Sequence, residues 1–456
     1  MGGLNVSLNI GIGALDATQA ALNATSNNIA NSNTAGYTRE VARLSENAQT
    51  VTGDEVNGGG VTLNGLQSVR DELINTQIQQ QTSAQSSADT QSSSLQQIQN
   101  LFTTSGTDIA SALTTFSKSL TQLSANSTNS ATQQSVLSAG QNLATAFNTT
   151  SNGLTSAKTA ADAQVTSTVA QINSLTTQIA QLNGQVAQLT STGQDGGAIQ
   201  DQRDELVQQL SSLTGVSITQ SGSNGETITT GDGTPLVMGS QSFALQTSAS
   251  SSGTQVLDSS GNNITASNLG GTLGGAIQIR DQVIPTYMSQ LNTLASQLST
   301  AFNSAQAQGY ESTGAAGQNF FAIATTPTGA AAGMSVAITD PAKIAVSSDG
   351  STGSNGNVAN LSAAFTNTLP SGQTPANAYA NLVFQVGNDA SNASTQSTAI
   401  GQNLLQLQNQ QSSVSGVNID EETTNLIRFQ TAYEAAARIV STVQALNTAT
   451  MSMVSA

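Results

Sequence analysis

Leucine or isoleucine recurs every seven residues at the start of this chain, at Leu8, Leu15, Leu22 and Ile29, and Leu4 extends the seam upstream. Thr18 and Thr25 fill the intermediate seam positions. This spacing predicts a helix with a narrow apolar stripe suited to packing on another helix. The pattern then dissolves into Asn28-Ile29-Ala30-Asn31-Ser32-Asn33-Thr34-Ala35-Gly36-Tyr37-Thr38-Arg39. Its Asn, Ser, Thr and Gly compete for backbone hydrogen bonds and favour a turn. The far end mirrors the start. From Ile419 a seam runs through Leu426, Phe429, Tyr433, Ala436, Val440, Val443 and later Val454, at steps of three and four. Ala432, Ile439, Leu446 and Met453 widen it on one flank. Asp420, Glu421 and Glu422 stand where acidic side chains complement a helix dipole. At ~1.5 Å per residue the C-terminal helix is about 50 Å long and the N-terminal one about 40 Å. Matched stripes predict that the two ends pair, leaving everything between them as an insertion.

Inside that insertion, Val165, Ile172, Ile179 and Val186 hold one seam position of a helix, with Leu175, Leu182 and Leu189 at the other. An isolated helix of this kind favours a parallel dimer, but packing within the chain is the stronger expectation, because companions with the same period are present. They are Ile109 to Leu123, Val136 to Leu154, Ile284 to Leu298 and Ile400 to Leu407. From Gly215 to about Gly270 the period changes. Val216-Ser217-Ile218-Thr219, Glu226-Thr227-Ile228-Thr229 and Pro235-Leu236-Val237-Met238 are short runs between Gly, Ser and Asn, which predict strands and turns. Ala322 to Pro375 is rich in Gly, Ala and Thr, with a strand expected at Met334 to Ile338. The expected fold class is mainly α with a small β domain: paired terminal coiled-coil helices, a long helical bundle and an inserted β domain. The expected divisions are 1–35 with 415–456 for the terminal helices and 36–210 with 270–414 for the bundle. The bundle includes an irregular excursion at 322–375, and the β domain is 211–269.

Composition narrows the chemistry. Aromatic residues are 3% of the chain and Trp is absent, so cores of Leu, Ile, Val and Ala are expected. Charged residues are only 8%, leaving a surface of Ser, Thr, Asn, Gln and Gly. A net charge of -16 argues against nucleic acid or an anionic membrane as partner. His and Cys are both absent, which removes Ser-His-Asp and Cys-His nucleophiles and the common zinc ligand sets. Asp201, Asp204 and Glu205 are the nearest approach to a paired-carboxylate site. With Arg203 among them, they read as a structural network or a helix start. Gly231-Asp232-Gly233 and Gly193-Gln194-Asp195-Gly196-Gly197 lack the spaced oxygen ligands of a calcium loop and read as turns. No catalytic residue, cofactor site, metal site or membrane insertion is expected. The first charge is Asp16, so the N-terminus has neither the basic region of a signal peptide nor a continuous apolar run.

A heptad helix running into Asn-Ile-Ala-Asn and then Thr-x-Gly-Tyr resembles the N-terminal motif of bacterial flagellar axial proteins. The Gly36-Tyr37-Thr38-Arg39 ending is most similar to the hook-associated protein 1 family. Further anchors are Gly59 to Leu66 with Arg70-Asp71 and Leu73, and Asp201-Gln202-Arg203-Asp204 with Leu206 and Leu210. Gly270-Gly271, Gly275, Arg280-Asp281, Ile284-Pro285, Phe302-Asn303, Gly309 and Asn319-Phe320-Phe321 extend the likeness. The resemblance implies a structural adaptor at the hook–filament junction, exported by the flagellar type III apparatus and placed outside the cell. The terminal helices would form an inner tube and the β domain the exterior. The outer domain of larger relatives is expected to be missing. Implied partners are the hook protein, hook-associated protein 3, neighbouring subunits and an export chaperone on the C-terminal helix. The implied assembly motif is Asn28, Ile29, Ala30, Asn31, Thr34, Gly36, Tyr37, Thr38 and Arg39. The assembly seams are Leu4, Leu8, Leu15, Leu22 and Ile29 at one end and Leu426, Phe429, Tyr433, Val440, Val443 and Leu446 at the other, the latter also serving the chaperone. Two other readings stand beside it: a secreted adhesin or coiled-coil binding module, and a sister axial protein such as flagellin or hook-associated protein 3.

Overall fold

The computed structural model describes residues 2–34, 36–48, 50–52, 55–103, 108–192, 196–220, 225–322 and 328–454. Ala35 of the turn and positions 193–195 of the glycine loop lie outside the described residues. Helix α1 (Gly2–Ala30) packs antiparallel on the last helix, α10 (Ile419–Val454), with Asn28 beside Glu422 and Gly11 beside Val440. Between them comes first a ribbon. Strand β1 (Glu40–Glu46) pairs antiparallel with β4 (Val61–Ser68), and β2 (Thr50–Thr52) pairs with β3 (Glu55–Asn57) at its tip. The ribbon lies against α1: a side chain at Gly13 would strike the Val61 carbonyl at 2.6 Å. The family resemblance at Gly59 to Leu66 implies a strand there, where β4 lies, and none at β1. Glu40-Val41-Ala42-Arg43-Leu44-Ser45-Glu46 lacks a clean apolar alternation and gives no such signal.

The bundle is built from α2 (Glu72–Thr103), α3 (Ile109–Ala125), α4 (Ser130–Ser191), α7 (Ile284–Ala307), α8 (Val358–Thr366) and α9 (Pro375–Ser415). The Val136–Leu154 and Val165–Leu189 patterns, expected as separate helices, are one 62-residue helix, α4. No proline interrupts it, and Ala157, Ala160, Ala161 and Ala163 carry strong helix propensity across the join. Its first half lies in the bundle core, whereas Val165, Ile172 and Ile179 line a second core against the β domain. The seam therefore packs within the chain.

That second core is closed by α5 (Gly197–Leu213), α6 (Gly271–Gln278) and an antiparallel sheet of β5 (Val216–Gln220), β6 (Glu226–Thr230), β7 (Pro235–Met238) and β8 (Gln241–Ser242), in that order. A smaller pair, β9 (Gln246–Ser248) and β10 (Gln255–Leu257), follows. All three expected strands are present. After α6 a π-helical turn, Ile279–Val283, leads into α7. Pro285 has no N–H for the Asp281 carbonyl and its ring crowds that position, which widens the preceding turn. Arg280 is buried there and donates to Asp162 and to the Thr254 carbonyl, both at 2.7 Å, tying α4 to the β domain.

Two expectations about the core need correction. Aromatics are scarce but not dispersed: Phe116, Phe302, Phe320, Phe321 and Phe365 form one cluster with centroids 4.9 to 6.0 Å apart. The bundle thus has an aromatic centre within its aliphatic shell. Met334 to Ile338 is not a strand. It makes one isolated bridge, Phe321 with Val336, while Met334 and Ile338 sink into the Phe-centred core. Burial on this irregular course takes the place of ladder pairing. The span 322–375, expected to be irregular, also contains α8, which packs on α3 and α7 and buries Val358, Leu361 and Phe365.

Candidate functional site

Helix α1 does not bury its leucine seam. It buries Gly11, Ala17, Ala21, Ala24, Thr25 and Asn28 against α10 and the ribbon, while Leu4, Leu8, Leu15, Leu22 and Ile29 are each only half-buried. Small residues explain this geometry, because they let a neighbouring backbone come close. A side-chain carbon at Gly11 would stand 2.8 Å from Val440 Cγ2. The face that α10 buries steps by seven through Glu422, Phe429, Ala436 and Val443, with Leu426, Phe429 and Val440 only half-buried. Tyr433 is 37% exposed. Leu446, expected in the seam, is 52% exposed and shares its outward flank with Ile439 and Met453. The large apolar residues of the seams are thus only partly covered, and the outward flank of α10 (Ile427, Ile439, Leu446, Met453) is exposed.

Asn28 organises the exit from α1. Its Oδ1 accepts from the Tyr37 hydroxyl and from the Glu40 N–H, each at 2.9 Å. Its Nδ2 donates to the Glu40 carbonyl at 2.9 Å and to Glu422 Oε2 at 3.1 Å. All four hydrogen-bonding positions of the amide are filled, with Asn28 1% and Glu422 3% exposed. The first helix is therefore locked to the first turn of the last one across 394 positions of sequence. Burial, and then the negative charges of Glu40, Asp201 and Glu422, push the Tyr37 phenol up to about 12, so it stays a neutral donor.

The rest of the turn follows the expected local chemistry. Asn31 Nδ2 donates to the Asn27 carbonyl at 3.0 Å, and Thr34 Oγ1 donates to Asn31 Oδ1 at 3.2 Å. Ala30 closes the helix on its exposed side. Gly36 has φ +79, the left-handed region that glycine occupies without penalty. Arg39 ties the outgoing chain to the returning one: its N–H donates to the Ser415 carbonyl at 3.1 Å and its Nη1 lies 3.4 Å from Glu421.

A charged relay continues inward from Thr38, whose N–H donates to Asp201 Oδ2 at 3.2 Å. Asp201 Oδ1 lies 2.6 Å from Arg70 Nη2, and Arg70 Nη1 pairs with Asp204. Asp204 also faces Arg203 at 3.3 Å, and Arg203 pairs with Glu226 at 2.6 Å. Asn183 of α4 closes the end by donating to the backbone carbonyls of Glu226 and Gly239, each at 3.0 Å. Burial raises the Asp201 carboxyl despite Thr38 and Arg70 opposing it. Burial also pushes Glu226 up to about 7, against the pull of Arg203. Asp201 and Asp204 are thus held by arginine, as a structural network, while Glu205 is absent from these ion pairs. Sequence reading singled out Arg70 and Asp201 to Asp204 separately, with no sign that they meet. In sequence, Glu422 stands where it would complement a helix dipole, and nothing local marks Glu226 as part of a charged pair. Among the described residues no cluster of three His, Cys, Asp or Glu could hold a metal ion. No described helix is long and apolar enough to cross a membrane.

Terminal helices that bracket the chain, joined at an Asn-Ile-Ala-Asn turn, are matched by known families at both ends. A family model for flagella basal body rod protein matches 8–38, and one for the flagellar basal body rod FlgEFG protein C-terminal region matches 408–453. The chain is a flagellar axial protein. Between those ends, the flagellar hook-associated protein FlgK helical domain matches 95–321. Flagellar hook-associated protein 1 of Escherichia coli (strain K12) is 29% identical over 96% of this chain and 98% of its own length. The same-named protein of Salmonella typhimurium is likewise 29% identical with the same coverage. That of Bacillus subtilis (strain 168) is 32% identical over 35% of this chain and 34% of its own. The chain belongs to the hook-associated protein 1 family. In fold it is similar to the solved flagellar hook junction protein FlgK from Burkholderia pseudomallei, with TM-score 0.68 and 20% identity over 75% of this chain and 100% of that one. The Escherichia coli alignment spans 535 residues against 456 here, so that relative carries segments this chain lacks.

Proposed function

We propose that this protein is a structural adaptor that polymerises at the hook–filament junction, contacting the hook protein on one side and hook-associated protein 3 on the other. The observation that supports this most is the uncovered apolar surface of the terminal pair. Leu8, Leu15 and Leu22 are half-buried, and Ile439, Leu446 and Met453 are exposed, on a helix pair already held in register by Asn28 and Glu422. Such a surface is a poor monomer surface and a good subunit interface. Neighbouring copies would cover it, giving an inner tube of terminal helices (1–35 with 415–456), a bundle layer and the β domain outermost.

Before assembly the same α10 face needs cover in the cytoplasm. An export chaperone laying a groove over Leu426, Phe429, Tyr433, Val440, Val443 and Leu446 would supply it. Chaperone binding and assembly are then mutually exclusive. Export through the flagellar type III apparatus delivers the protein outside the cell, where it acts without catalysis or cofactor. Deleting the gene tests the role: the adaptor reading expects bare hooks and unattached, secreted flagellin. Normal filaments in the deletion strain would overturn it.

A further inference from the structure

The relay from Thr38 to Glu226 contains a branch point at which one carboxylate has two cationic suitors. Asp204 pairs with Arg70 and also faces Arg203 at 3.3 Å, whereas Arg203 holds Glu226 at 2.6 Å. We propose that Arg203, Glu226, Asp204 and Arg70 form a proton-sensitive clasp that couples the β sheet to the exit turn of the terminal helix pair. The inference does not depend on the junction role.

Three features make the cluster able to rearrange. Arg203 and Glu226 side chains are 6% and 7% exposed, so a change of one charge is felt strongly. The Nε atoms of Arg70 and Arg203 are buried without a hydrogen-bond partner, so neither guanidinium is fixed on every side. A cavity of about 320 Å³ lies beside them, lined by Arg70, Arg203, Asp204 and Glu226. When Glu226 is ionised it draws Arg203 toward β6 and leaves Asp204 to Arg70. Arg70 then holds Asp201, and Asp201 holds the Thr38 N–H. When Glu226 takes a proton, Arg203 loses its strongest partner and turns to Asp204. Asp204 is then shared, the hold of Arg70 on Asp201 loosens, and with it the hold of Asp201 on the Thr38 N–H.

The groups facing Glu226 support this direction. From α5 come Arg203 and Asp204, from the start of α2 Glu72, and just ahead of α2 Arg70. The stretch of α4 that lines the cavity (Val186, Ala187, Thr190) and strands β5 and β7 bring no charged side chain. Among the described residues the nearby cations are therefore the two arginines of the clasp. Burial brings the transition to about 7, within the range a bacterium meets.

Hydrogen exchange on the full-length chain tests the clasp, with protection corrected for the intrinsic pH dependence of exchange. Between about pH 5.5 and about pH 8.5 the Thr38 amide should gain roughly tenfold protection, as expected when a hydrogen bond to a charged group tightens. Glu226→Gln should hold Thr38 at its low-pH protection throughout. Asp201→Asn should abolish the response at Thr38 while carbon NMR still reports Glu226 titrating. A Thr38 response in Glu226→Gln equal to the parent's would overturn the proposal. So would a parent in which Glu226 titrates and Thr38 does not respond, a result that needs no variant to fold.

Discussion

The bundle and the terminal helix pair use the same helical period for opposite ends. In the bundle, large residues point inward: Phe116, Phe302, Leu291 and Ile109 have no exposed surface, and the Phe cluster fills the space between α3, α7 and α8. In the terminal pair the buried face is mostly small and an apolar flank faces out: Ala17, Ala21, Ala24 and Ala436 are buried, with Val443 among them, while Ile427, Ile439 and Leu446 are exposed. The bundle fills its core within its own chain, although Leu73 of α2 and Phe384 and Leu405 of α9 stay exposed. The terminal pair is specified by hydrogen bonds at Asn28 and Glu422 and has its apolar faces left open. Apolar burial supplies roughly 25 cal/mol per Å², so a pair that buries mostly alanine and glycine gains little by itself. On the proposed adaptor role, it gains when neighbours arrive.

The comparison breaks most sharply if the bundle is attacked. Phe302→Ala removes a ring from the centre of the cluster and should cost about 3–5 kcal/mol in chemical denaturation, while leaving the exchange of α1 and α10 unchanged. Loss of protection at both ends in that variant would mean the pair leans on the bundle core. Asn28→Ala comes next. It leaves Glu422 and the Tyr37 hydroxyl without their shared partner and should cost about 1–3 kcal/mol locally. Exchange should rise in the turn and in the first turn of α10, with the main melting transition in place.

Gly36→Val forces a branched side chain into the left-handed region at a cost of roughly 1–3 kcal/mol, and nothing lies within 4 Å of the added Cβ, so the cost is one of backbone strain. Junction assembly should suffer and the bundle should melt normally; full motility and normal filament attachment would refute this. Glu226 gives a smaller, pH-dependent effect. Its folded pKa of about 7 lies above the free value of 4.5, so its contribution to stability is full below about pH 4.5 and is lost as pH rises through about 7. Glu226→Gln should flatten that decline in Tm; an unchanged decline would place its origin elsewhere. Leu446→Ser should be the mildest in the isolated chain, within about 0.5 kcal/mol at an exposed site, yet should hinder polymerisation.

These effects map onto what the sequence made readable. Both terminal helices were legible because a seven-residue repeat survives in isolation, and Gly36 was legible because few residues tolerate its turn. Which face of α1 would be buried was not. Leucine is the natural choice for a seam, and only the approach of Val440 to Gly11 reveals that small residues set the contact. Glu422 in a first helical turn looks the same whether it faces water or Asn28. Arg70 and Asp201 are 131 positions apart, and nothing local in either records the 2.6 Å contact between them. Percent composition likewise hid the Phe cluster, because it reports how many aromatics exist and not that five of the ten phenylalanines converge.

On the proposed role, the terminal pair is unfinished alone and completed by assembly. Hydrogen exchange on the isolated chain and on polymerised protein measures this directly. In the isolated chain, Leu4 to Ile29 and Leu426 to Met453 should be weakly protected relative to Val165 to Leu189 of α4, and assembly should bring them level. Terminal protection in the isolated chain already equal to that of α4, and unchanged on assembly, would contradict the account.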